Sequence, residues 1–102
     1  MTRWLRCFWD EEAIWFYFEL NSEGDVIRQV ELQEPGGTAL PAASLAESEE
    51  AQKDGRLAAY ESVYGMTADL PFSDWEGHDP KWLSADEFEI VWSMARRQLR
   101  GR

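Results

Sequence analysis

Cysteine occurs once in these 102 residues, as Cys7, and histidine once, as His78. A lone thiol excludes an internal disulfide and fits a reducing compartment, so the chain is expected in the cytoplasm. Cys7 sits among apolar residues and reads as a small buried hydrophobe rather than a reactive thiol. Cations are scarce: ten Lys+Arg stand against twenty Asp+Glu, a net charge of −10. A protein that tracks nucleic-acid phosphates needs a basic face, so direct nucleic-acid binding is not expected. Long apolar runs are missing too. No stretch approaches the ~18 residues of a membrane span, and Met1 to Arg6 alternate polar and apolar, unlike a secretory signal. Neither a phosphate-cradling Gly-rich loop nor a nucleophile-elbow serine occurs, so no cofactor is expected and an enzyme is not favoured.

What the chain does have is aromatic side chains, 14% of residues and six of them Trp. With 44% hydrophobic residues, residues 1–102 are expected to form one domain around one core. Half of the aromatics fall within residues 4–18, where β-propensity is high. Residues 3–9, 13–20 and 26–33 read as strands, separated by the polar turns Asp10–Glu12 and Asn21–Asp25. Glu34-Pro35-Gly36-Gly37 is a further turn, and residues 38–42 offer a short fourth strand. Helical signals follow. Ser44 with Glu47, and Ser84 with Glu87, have the spacing of capping boxes. Leu57, Tyr60, Glu61 and Tyr64 share a helical face that Gly65 stops, and Asp54-Gly55 allows either two helices or one kinked one. Residues 66–83 read as an ordered loop anchored by Phe72, Trp75 and Trp82. Phe88, Val91, Trp92, Ala95 and Leu99 form one apolar stripe on a closing helix. The expected fold is therefore α+β: an antiparallel meander of three or four strands over residues 3–42, with helices packed on the sheet.

The second strand is aromatic on both faces. Ile14, Phe16, Phe18 and Leu20 share one, and Trp15, Tyr17 and Glu19 the other. Either helices and loops cover both, or one face awaits a partner. A two-residue loop at Glu23-Gly24 would set Glu19 opposite Arg28, Tyr17 opposite Val30 and Trp15 opposite Leu32, and the charge pair favours that register. Trp15, Tyr17, Glu19, Arg28 and Val30 then form a polar-flanked aromatic patch. It reads either as a recognition surface, since Trp, Tyr and Arg dominate interface energetics, or as core beneath the last helix with Glu19–Arg28 at its rim.

Charge is unevenly spread. Residues 1–40 hold three bases against eight acids, residues 41–80 two against nine, and residues 81–102 five against three. The basic end, Arg96 to Arg102, reads as cations completing a helix terminus, or as a partner tail. Around the one histidine, Asp74, Glu76, His78 and Asp79 are weak candidate metal ligands or acid–base groups. Their spacing matches neither a zinc nor a calcium motif, so no metal is assigned.

Tyr17-Phe18-Glu19, a polar turn, then Arg28-Gln29-Val30-Glu31 resembles a group of small acidic bacterial proteins of unknown function. Their sheet core runs Tyr/Phe-x-Glu and then Arg-x-Val-Glu. Glu87-Phe88-Glu89 with Trp92 is similar to their C-terminal helix. Glu19, Arg28 and Glu31 are the residues that carry over. Some of that group lie in toxin–immunity neighbourhoods, which implies an inhibitor-like binding role. The resulting expectation is a non-enzymatic module that binds a protein through Trp15, Tyr17, Glu19, Arg28 and Glu31, and the net charge of −10 points to a basic partner. The alternatives are a self-associating (homodimeric) structural or regulatory protein, and a carboxylate- and metal-dependent enzyme.

Overall fold

The computed structural model describes residues 1–67 and 80–101. Its elements run β1 (Arg3–Trp9), β2 (Ile14–Leu20), β3 (Val26–Gln33), β4 (Thr38–Ser44), α1 (Leu45–Lys53), α2 (Leu57–Tyr64), β5 (Lys81–Leu83) and α3 (Ala85–Arg100). The strands form one antiparallel sheet in the order β4-β3-β2-β1-β5. Helices pack on that sheet, so the fold is α+β. The meander is β1 to β4, and the sheet is one strand larger than the sequence suggests. Part of the stretch read as a loop is β5, which pairs Trp4 with Leu83 and Arg6 with Lys81. A three-residue edge strand is too short to show alternation. It also overturns the anchoring expected of Trp82, which is 57% exposed on that edge with the Arg3 guanidinium 5.3 Å from its ring centroid. Phe72 and Trp75 lie outside the described residues.

The β2–β3 register is the one the Glu19–Arg28 pair favours: Trp15 faces Leu32, Tyr17 faces Val30 and Phe16 faces Glu31. The loop differs from the expected two-residue turn. Three residues separate Asn21 from Asp25, and Leu20 pairs with Val26 across a bulge. Gly24 supplies the positive φ of +86° that such a loop needs. Asn21 Oδ1 closes it, accepting from the Glu23 and Asp25 amides at 3.0 and 2.9 Å. The bulge adds a residue on β3, so the three-residue loop and the preferred register coexist.

Both sheet faces are buried. On one, Tyr17, Val30, Leu32, Ala39 and Ala42 pack against Phe88, Ala95 and Leu99 of α3. On the other lie Leu5, Cys7, Ile14, Phe16, Phe18, Leu20 and Val26, with Trp9 and Leu40 packed on them. Burial pushes the Cys7 thiol up to about 11, which keeps it protonated at neutral pH. The stripe read from the sequence is thus the buried face of α3, and that helix opens on a complete capping box. Glu87 N donates to Ser84 Oγ at 3.1 Å and Ser84 N to Glu87 Oε1 at 2.8 Å. The first box is only half formed. Ser44 Oγ accepts from Glu47 N, but the Glu47 carboxylate turns instead to Arg96 and Tyr60. Asp54 to Arg56 divide two separate helices, with Gly55 at φ +72°. None of the described helices is long and apolar enough to cross a membrane.

Candidate functional site

The five residues singled out from the sequence fall on opposite faces of the sheet. Trp15, Tyr17, Glu19 and Arg28 lie on the α3 face, and Glu31, opposite Phe16, on the other. Tyr17 is buried under α3, and Trp15 is half-buried beside it, with the Arg6 guanidinium 4.7 Å from its ring centroid. Glu19 and Arg28 are tied into the sheet–helix seam. Arg28 Nε donates to Glu19 Oε1 at 2.6 Å and Nη2 to Oε2 at 2.9 Å, while Trp4 Nε1 donates to the same Oε2 at 2.8 Å. The rest of the guanidinium reaches Glu89 of α3. Burial pushes the Glu19 carboxyl up, but the hydrogen bonds from Arg28 and Trp4 outweigh it and hold the group below the ordinary carboxylate range. The bidentate Glu19 pair holds Arg28 charged.

A second arginine, read from the sequence as one of several helix-end cations, completes this seam. Arg96 is 5% exposed. Its Nε donates to the Ala42 carbonyl at 2.7 Å, and its Nη2 donates to Glu47 and, at 3.2 Å, to Tyr60 Oη. Its guanidinium carbon lies 3.9 Å from the Tyr64 ring centroid and 4.3 Å from that of Trp92, and Arg28 lies 4.9 Å from the same Trp92 ring. Trp92 is therefore flanked by two guanidinium groups, each neutralised by carboxylates. The signal for Arg96 was its place four residues after Trp92, on the flank of the apolar stripe. Glu47 sits below the ordinary carboxylate range: burial raises it, and the Arg96 and Tyr60 hydrogen bonds with the Arg96 and Arg100 charges lower it further. These donors and acceptors are satisfied by one another, which makes the seam a latch between α3, the sheet, α1 and α2.

Glu31 belongs to a different feature. Val30 pairs with Ala42 but Leu32 with Ala39, so Leu40 and Pro41 together oppose Glu31 in a bulge. A bulge on an edge strand tolerates proline, which has no amide hydrogen for a ladder, and it re-aims the neighbouring side chains. The end of α2 closes on this bulge. At Gly65, φ is +81°, and a Cβ there would lie 2.5 Å from Pro41 Cβ, so only glycine permits the approach. The result is a groove of about 460 Å³ walled by Leu40, Pro41, Val63 and Met66, with Glu31 and Glu61 as its charged groups and no base among its lining residues. Val63 and Met66 are exposed. Burial pushes the Glu31 carboxyl up, only partly opposed by Gln29 Nε2 donating to Oε2 at 2.8 Å. Val63 and Met66 gave no sequence signal, and Glu61 only its place on the helical face of residues 57–64, because the groove joins residues that only the β4–α2 approach brings together.

Asp74, Glu76, His78 and Asp79 lie outside the described residues. Among the described residues, no group of three or more His, Cys, Asp and Glu side chains is placed to hold a metal ion. No family model, curated protein or solved structure matches the chain.

Proposed function

We propose that this protein is a non-enzymatic, cytoplasmic binding module of bacterial origin that takes a basic protein partner, in the manner of an immunity protein. The observation that carries the reading is the groove beside β4: apolar walls, two carboxylates and no cation lining it. A lysine or arginine side chain suits that chemistry. Its methylene stem can lie on Leu40, Pro41, Val63 and Met66 while its charged head meets Glu31 and Glu61. The carboxylate raised by burial is the one an incoming cation would relieve. The net charge of −10 supports the same partner, since opposite charge speeds encounter and disfavours other anions, nucleic acid included. The resemblance of Tyr17 to Glu31 to proteins from toxin–immunity neighbourhoods points the same way. Of the residues first considered, Glu31 is retained at the binding face. Trp15, Tyr17, Glu19 and Arg28 hold the scaffold that presents it.

The test is a calorimetric titration with the product of the adjacent gene at about 50 mM and about 300 mM salt, which spans the change from weak to strong screening. Binding that weakens about tenfold or more with salt is the expected result. Absence of binding, or binding indifferent to salt, contradicts the proposal.

A further inference from the structure

α3 buries one face and leaves the other in water, and that outer face is not an ordinary polar one. At about 100° per residue, Asp86, Ile90, Ser93, Met94 and Arg97 fall within an arc of about 100°, opposite the buried Phe88, Ala95 and Leu99. All five are exposed. Ile90 is 70% exposed and Met94 39%. A β-branched residue at an exposed helix position costs a few tenths of a kcal/mol of propensity against Ala, with no packing here to offset it. The flanking charges are ordered: acid at the start of the stripe, two apolar side chains in the middle, base at the end. Glu89 is engaged with Arg28 and Glu87 with Ser84, whereas Asp86 and Arg97 form no ion pair among the described residues.

Such a stripe is complementary to itself when reversed. Two copies of α3 laid antiparallel, with a two-fold axis midway between residues 91 and 92, place Asp86 of each opposite Arg97 of the other. The same axis sets Ile90 of each copy between Ser93 and Met94 of its mate. We propose that the outer face of α3 is a self-association surface whose occupant is a second copy of this chain, docked antiparallel in an isologous dimer. The carrying observation is the charge complementarity of the stripe with its own reverse, together with the two apolar residues at its centre. This goes beyond the binding of a basic partner, because the α3 stripe and the β4–α2 groove share no residue. A single helix pair is smaller than a standard stable interface, so the dimer is weak and dependent on concentration. Salt is not a clean probe, since it screens the local attraction and the mutual repulsion of two strongly acidic chains together.

The experiment is sedimentation equilibrium of the full chain from about 10 to about 500 μM, the range in which small interfaces associate, on wild type and on the variants Asp86→Arg and Arg97→Asp. Both positions are exposed, and thermal melts report that each variant is folded. Wild type should dimerise across that range. Each variant alone carries one sign along the stripe and should bind itself at least about tenfold more weakly, because two attractive pairs become repulsive. An equimolar mixture of the two variants restores opposite charges at every pairing and should recover the wild-type affinity to within about threefold. A wild type that stays monomeric at the top concentration overturns the proposal. So do variants that dimerise like wild type, or a mixture that does not recover. None of these outcomes bears on the groove.

Discussion

Replacing Arg96 by Met tests whether the seam holds α3 down. Met keeps a flexible apolar stem, so the loss is chiefly polar. The charge-assisted hydrogen bond from Nε to the Ala42 carbonyl is of a kind worth about 1.5–3 kcal/mol. The contacts with the Tyr64 and Trp92 rings add about 0.5–1 kcal/mol each. The Glu47 pair adds less than about 1 kcal/mol, because Glu47 is half-exposed. These interactions overlap, so the expected cost is about 3 kcal/mol rather than their full sum. In a domain of this size that corresponds to a fall in melting temperature of roughly 12–24 °C. Urea unfolding followed by Trp fluorescence at pH 7 measures it, with an unchanged m-value indicating that only stability has moved. Arg97→Met is the control. It sits one residue away on the exposed side and should stay within about 0.5 kcal/mol of wild type. An Arg96→Met variant within about 1 kcal/mol of that control would show that the hydrogen bonds and ring contacts of Arg96 do not latch the helix, refuting the account of the seam.

Further expectations concern the groove and the carboxylates. Gly65→Ala forces a Cβ against Pro41 at a positive φ and should cost about 2–4 kcal/mol in chemical denaturation; a neutral variant would mean the groove wall relaxes freely. Glu19 is depressed in the folded state, so its contribution is present above the unfolded pKa of about 4.3 and is lost as pH falls through the folded value. Urea midpoints measured from about pH 6 down to about pH 2 should therefore fall less steeply for Glu19→Gln than for wild type, and parallel curves would contradict this. Glu31 is shifted the opposite way. Its penalty is present above the folded pKa and vanishes below the unfolded one. Glu31→Gln should consequently be more stable than wild type at pH 7, with the difference closing below about pH 4.3. A Glu31→Gln protein that is less stable at neutral pH would remove the desolvation argument.

The parts of this fold that were legible in the sequence are those with local or pairwise signals. The stripe Phe88–Leu99, introduced by Ser84 and Glu87, states both the helix and its buried face. Glu19 opposite Arg28 states a register, although the loop that delivers it contains three residues and a bulge rather than a tight two-residue turn. Strand β5 was hidden because Lys81-Trp82-Leu83 is too short for a period. Its partner is β1, near the other end of the chain. Arg96 was hidden because a cation at a helix end already has a sufficient explanation in the terminal carbonyls. Only the approach of Tyr64 and Glu47 turns it inward. The aromatic patch of Trp15 and Tyr17 was ambiguous for the same reason: exposure of a strand face is decided by what lies on it. The groove was invisible, since Glu31, Pro41, Glu61 and Met66 meet only through the contact of Gly65 with Pro41.

The central claim is that the groove recognises a cationic side chain. Methyl NMR of the full chain tests it most directly, by titrating N-acetyl-lysine-methylamide against N-acetyl-norleucine-methylamide, which keeps the stem and lacks the charge. The account predicts that the lysine probe shifts the Met66 and Val63 methyl signals with a millimolar Kd, that the norleucine probe does so at least about fivefold more weakly, and that Glu31→Gln with Glu61→Gln abolishes the difference. Equal responses to the two probes, or lysine-induced shifts that avoid Met66 and Val63, would contradict it.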